Sequence, residues 1–147
     1  MKNKWTLALT LALVVGWLMT GVVAAEQGDG KGTLTAQGNG IAGLKGNGSI
    51  TISGSGMLYV RDAAGDATIN VTGKGTKREL HNGWILYAGF DGQAQISGTQ
   101  ITVALSGINI HLQASGTGKF LLRGEGTYET SHGKGVWTDA GKVIAVP

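Results

Sequence analysis

Gly30-Lys31-Gly32-Thr33-Leu34-Thr35-Ala36-Gln37-Gly38-Asn39-Gly40-Ile41-Ala42-Gly43-Leu44-Lys45-Gly46-Asn47-Gly48-Ser49-Ile50-Thr51-Ile52-Ser53-Gly54-Ser55-Gly56-Met57-Leu58-Tyr59-Val60-Arg61 decides the fold class. Every even-numbered residue in this stretch is glycine or apolar. The odd-numbered ones are polar or charged except Ile41, Gly43 and Met57. Alternation with period two places one set of side chains on each face of an extended chain, so the stretch is strand. Its glycines divide it into four octads of the form Gly-x-Gly-x-apolar-x-apolar-x, hence many short strands rather than helix.

The punctuation continues to the C-terminus, through Gly65, Gly73, Gly83, Gly89, Gly98, Gly107, Gly116, Gly124, Gly133 and Gly141. Between these glycines the pattern predicts about thirteen or fourteen strands. Asn39-Gly40 and Asn47-Gly48 are hairpin signals. A two-residue loop there breaks the apolar face, whereas a three-residue Gly-x-Gly loop preserves it. On that register Leu34, Leu44, Ile50 and Val60 form one row, and Ala36, Ala42, Ile52 and Leu58 another. Ser106-Gly107 is read as a two-residue loop by the same parity argument. The expected fold is therefore all-β, a glycine-rich octad-repeat antiparallel meander closing as a two-layer sandwich or a barrel. A parallel β-solenoid with glycine corners is the competing architecture. Segment 61–92 departs from the repeat, with a longer loop at 61–66, a charged stretch at 76–80, and Trp84 to Tyr87 apolar on both faces.

Residues 1–25 read as a signal peptide: a basic start, an apolar run from Trp5 to Val23, and small residues at Val23-Ala24-Ala25. An uncleaved membrane anchor is the alternative for this segment. Residues 26–147 then form a single domain, and the localisation expected is exported: periplasm, cell surface or extracellular. Lys2 and Lys4 leave with the leader, so ten basic residues face nine acidic ones. That balance gives no electrostatic footprint for nucleic acid. A membrane enters the reading only through an unprocessed N-terminal segment. The chain has no cysteine, so a lipid-anchored lipoprotein and a disulfide framework are both excluded.

Catalytic and metal chemistry find little support. The Gly-x-Gly pairs precede no helix and so lack the anion-binding N-terminus of phosphate loops. His81, His111 and His132 share no ligand spacing. Asp62 and Asp66 flank a loop and suit turn hydrogen bonds better than a calcium site. No serine sits in a nucleophile elbow. The expectation is a protein with no cofactor, no metal and no enzymatic activity. The candidate ligand-binding residues are Tyr59 and Arg61, on the outward parity of 57–61, with Trp84, Tyr87 and Trp137. Aromatic rings beside polar groups suit sugar stacking. Trp84, Tyr87 and Phe90 also suit a bland role as plugs at the sheet ends. Outward Thr33, Thr35 and Thr51 do not form a Thr-x-Thr rank in this register, so an ice-binding face is not expected.

At Ser53-Gly54-Ser55-Gly56 and Ser115-Gly116-Thr117-Gly118 the chain resembles glycine-rich secreted proteins of the autotransporter-adhesin, head GIN domain type. The resemblance implies a repetitive β-helix of cell-surface association, with no catalytic residues to carry over. The functional expectation is a non-enzymatic exported β-domain of the cell envelope or extracellular matrix, structural or adhesion-like. Its partners are another copy or a cell-surface glycan. The alternative is a carbohydrate-binding module using the exposed aromatics.

Overall fold

A computed structural model describes residues 32–146. Residues 1–25, expected to be a signal peptide, and the start of the expected domain lie outside the described residues. The described chain is almost entirely strand: β1 (Gly32–Asp62), β2 (Thr68–Glu79), β3 (Trp84–Thr130), β4 (Gly133–Val136) and β5 (Lys142–Val146), with one 3-10 turn at His81–Gly83. These form one antiparallel sheet, in which β3 pairs with each of the other four. The sheet is not closed into a barrel, which removes that form of the expected closure.

The pairing replaces the expected local hairpins with distant partners. Leu34 opposes Ala114 and Thr130 rather than Leu44, and Ala36 opposes Leu112 and Tyr128 rather than Ala42. The expected hairpin at Ser106-Gly107 also lies within the continuous β3. β1 and β3 instead run antiparallel as a long ribbon that returns upon itself. Leu112 lies between Ala36 and Ile52, and Leu105 between Ala42 and Leu58. A straight strand would put residues 36 and 52 roughly 50 Å apart, whereas two strands flanking a third are roughly 9.5 Å apart. The chain therefore comes full circle every two octads. The winding is solenoid-like, but every neighbour in the ribbon is antiparallel.

Alternate octads consequently fall into two banks of laterally paired segments. The first bank holds 33–37, 49–53, 68–72, 93–97, 111–115 and 127–130. The second holds 41–45, 57–61, 76–79, 84–88, 101–106, 119–123 and 142–146. Glycine marks the corners because backbone meets backbone there. A Cβ on Gly38 would lie 2.7 Å from the Gly126 Cα, and one on Gly46 would lie 2.6 Å from the Gly118 Cα. Real Cβ atoms do not approach so closely, so no side chain fits either position.

The corners also explain the Asn-Gly pairs. From Gly38–Ile110 to Gly40–Gly107, β1 advances two residues while β3 advances three. The extra residue is taken up in a bulge where Asn109 is left-handed (φ 55). Its N–H donates to Asn39 Oδ1 at 2.8 Å. The next corner repeats the device: Gln100 is left-handed (φ 52), and its N–H donates to Asn47 Oδ1 at 2.8 Å. A third bulge falls at Gly89 (φ 66), between Phe90 and Tyr87. The asparagines thus satisfy a bulged neighbour rather than shaping a hairpin of their own.

The alternation identifies the core. Leu34, Ile50, Ile52, Ile96, Ile110 and Leu112 of the first bank and its corners are fully buried. They join one apolar cluster with Ala42, Leu58, Val60, Val103, Leu105 and Leu122 of the second bank. Removing a Leu or Ile side chain from water contributes about 1.5–3 kcal/mol, so these paired rows are the main source of stability in a chain without disulfides. Phe90 fills a corner of this core, and Trp137 lies in it at the β4 end.

Candidate functional site

The outward residues of the first bank are all polar. Read across the strands by register, one rank is Thr33, Ser115, Ser49, Ser97 and Thr68. The next is Thr35, Gln113, Thr51, Gln95 and Asn70. The third is Gln37, His111, Ser53, Gln93 and Thr72. Fully charged side chains appear only beyond Thr35, where Glu129 continues the middle rank and Lys134 pairs with it. Strand spacing puts neighbours within a rank about 4.8 Å apart, and alternate residues along one strand lie about 6.6 Å apart. Twelve of these fifteen side chains are exposed; Thr51, Ser53 and Ser97 are half-buried. Among the described residues, one of the fifteen donates a side-chain hydrogen bond within the protein, Thr72 Oγ1 to the Gln93 carbonyl at 3.4 Å. The face is an ordered array of neutral groups that both donate and accept hydrogen bonds.

An open groove of about 480 Å³ adjoins these ranks at the β4 edge. Thr35, Gln37 and Thr127 contribute hydroxyl and amide groups to it, Val136 supplies apolar surface, and Glu129 and Lys134 lie at its end, while the Tyr128 ring packs inward against the main core. Trp137 anchors this edge from beneath. Its backbone N–H donates to the Gly126 carbonyl and its indole Nε1–H to the Thr127 carbonyl, each at 3.0 Å. The Tyr128 ring lies so close to Gly135 that a Cβ there would meet the phenol oxygen at 2.7 Å.

The outward residues of the second bank are of a different kind. Tyr59, Leu86, Ala104 and Leu121 form a second buried apolar cluster, with Ile41, Met57, Trp84, Ala88 and Val143 packed against it. Lys45, Arg61, Lys119 and Arg123 share its outward parity and flank it. Tyr59 is 3% exposed, and its hydroxyl finds no hydrogen-bond partner. Burial pushes that phenol above its ordinary ionisation range.

The five candidate binding residues are therefore not gathered on one platform. Tyr59 points outward as expected but is buried. Trp84 is half-buried beside it, with the Arg61 guanidinium 5.7 Å from the ring centroid. This spacing allows a cation–π contact. Tyr87 turns inward against the main core, and Trp137 is buried in that core at 4% exposure. Trp84, Tyr87 and Phe90 do not form a shared patch. No family model matches the chain, and no curated protein or solved structure matches it either.

The acidic loop is fully occupied by local hydrogen bonds. Asp62 accepts from the backbone N–H of Gly65 at 2.8 Å and of Ala67 at 2.9 Å. Asp66 accepts from the Thr99 backbone N–H at 3.0 Å and the Thr99 hydroxyl at 2.7 Å. Those two bonds from Thr99, backbone first, hold the Asp66 carboxyl below its usual range. The pair fastens the loop to the neighbouring corner. Among the described residues no three His, Asp or Glu side chains gather in a metal-binding group.

Sequence reasoning missed the polar ranks, although their signal was present. Ile41, Gly43 and Met57, the odd-numbered exceptions to the alternation, all lie in octads of the second bank. The octads of the first bank carry no such exception. Along β1 the outward residues alternate in kind from octad to octad, polar at 33–37 and 49–53 and interrupted by Ile41, Gly43 and Met57 between and after.

Proposed function

We propose that this chain is a non-enzymatic, exported β-domain of the cell envelope or extracellular matrix, which adheres to an extended, repetitive partner through the polar ranks of its first bank. The wound ribbon is read as a flattened two-layer scaffold, with the two banks back to back across the common core. The observation that carries the proposal is the segregation of charge: fifteen outward positions of one bank hold only Ser, Thr, Asn, Gln and His. A surface maintained only for solubility distributes charged groups of both signs. This one concentrates them on the other bank, the corners and the edges. Export is supported by the order of residues at the N-terminus, and a structural role by the glycine-punctuated alternation of the strands.

Fractionation of the cells that make the protein tests this reading. The chain should be recovered with the envelope or matrix. Replacing Gln95 and Gln113 together by Lys should move it to the soluble fraction without changing its thermal midpoint. Retention of that variant, or a hydrolytic activity traced to a residue cluster, would sink the proposal.

A further inference from the structure

We infer that the ligand of the polar ranks is an uncharged, hydroxyl-rich polysaccharide, with one chain entering the groove at Thr35, Gln37 and Thr127 and continuing along the ranks. The inference rests on the adhesive role proposed for this face and specifies its partner.

Three observations lead to it. First, the site is neutral. A polyanion or polycation would be met by counter-charges, and the fifteen positions of the ranks carry none; Glu129 and Lys134, at the end of the groove, oppose each other in register. Secondly, the side chains are bifunctional. Hydroxyl and amide groups donate and accept, as sugar hydroxyls do. Each such bond contributes little net after exchange with water, so affinity must come from many bonds along an ordered chain. An array fixed by backbone pairing supplies that order before binding. Thirdly, the open groove at the β4 edge continues the ranks and presents the hydroxyl and amide groups of Thr35, Gln37 and Thr127.

A second copy of the chain fits this face less well. Specific protein interfaces are centred on an apolar, aromatic-rich core. The ranks provide none, and their hydrogen bonds to another copy would merely replace those to water.

The test is co-sedimentation of the purified protein with insoluble cellulose, with chitin and with calcium alginate gel, the last as an anionic comparison. The wild-type chain should bind cellulose or chitin at least ten-fold more than alginate. Raising NaCl from about 0.05 to 1 M should change that binding less than two-fold, because no counterions are released. Two variants decide the charge question: Gln95→Lys with Gln113→Lys, and Gln95→Glu with Gln113→Glu. Both positions are exposed, so the fold should persist, as circular dichroism will show. Both variants should lose at least ten-fold in binding. A ligand bound better by one sign of charge and worse by the other would overturn the inference in favour of an ionic partner. So would a wild-type dimer in sedimentation that both variants abolish, which would assign the face to a second copy. If envelope retention is lost in the Lys variant but no neutral polysaccharide binds the wild type, the adhesive role stands and the glycan assignment falls. If neither is seen, both fall.

Discussion

A cross-link between positions 49 and 115 would separate the wound register from a local meander. Ser49 and Ser115 are cross-strand partners on the exposed face of the first bank. The chain has no cysteine, so Ser49→Cys with Ser115→Cys introduces a single possible disulfide. Directly opposed strand residues have Cβ atoms about 4.5–5.5 Å apart, near enough for small adjustments to close the bond. The loop closed would span about 66 residues, for which the chain-entropy relation gives about 4 kcal/mol of stabilisation. At roughly 3–5 °C per kcal/mol for a domain of this size, the oxidised midpoint should rise by up to about 12–20 °C over the reduced one. The control pair is Thr33→Cys with Lys45→Cys. These residues oppose each other in a hairpin turning at Gly38-Asn39-Gly40. In the structure Thr33 pairs with Ser115, and Lys45 with Thr102 and Lys119, on a different bank. Thiol titration, non-reducing electrophoresis and thermal denaturation read the outcome. Efficient oxidation of 33/45, together with failure of 49/115, would refute the winding on which the polar ranks depend.

The remaining predictions concern the corners and the second bank. Gly46→Val should cost about 3 kcal/mol or more in urea denaturation, because its Cβ would meet the backbone at Gly118 and no rotamer relieves that contact. Exposed Ser49→Ala should stay within about 0.5 kcal/mol of wild type. Asn47→Ala should cost about 1 kcal/mol by leaving the Gln100 N–H without its acceptor. Gln100→Gly should gain up to about 1 kcal/mol by relieving the left-handed backbone, with crystallography expected to show the same bulge. Tyr59 predicts alkaline sensitivity. Its phenol ionises later in the folded state than in the unfolded one, so this group contributes no pH dependence below about 10, and stability falls as pH rises above that value. Tyr59→Phe should remove this alkaline loss while leaving stability at neutral pH undiminished, since the hydroxyl has no partner to lose.

Particular residues show what was legible. Leu34, Ile50, Ile52, Leu58 and Val60 are core by alternation alone, and all are buried. Period two is a local property, so it survives any rearrangement of strand partners. Partner choice is not local. Asn39 and Asn47 looked like hairpin turns because Asn-Gly favours them. Here the same asparagines each receive an N–H from a bulge some fifty to seventy residues away, at Gln100 and Asn109. Trp137 and Tyr87 are candidates for ligand binding by residue type, as aromatic rings near polar groups. Their burial comes from packing against the main core, which includes residues distant in sequence.

By itself, then, the amino-acid sequence determined that the domain is all-β, which side chains of the regular octads face inward, and where backbone must turn at glycine. Those properties follow from alternation and from the absence of a Cβ. Only the tertiary structure decided that the octads belong to two banks. Winding brings residues sixteen apart onto neighbouring layers of the same bank, so scattered Ser, Thr, Asn, Gln and His residues become three continuous ranks. The same winding puts Tyr59 and Leu121 on the other bank. A polar surface of this extent exists only once β3 lies between successive turns of β1.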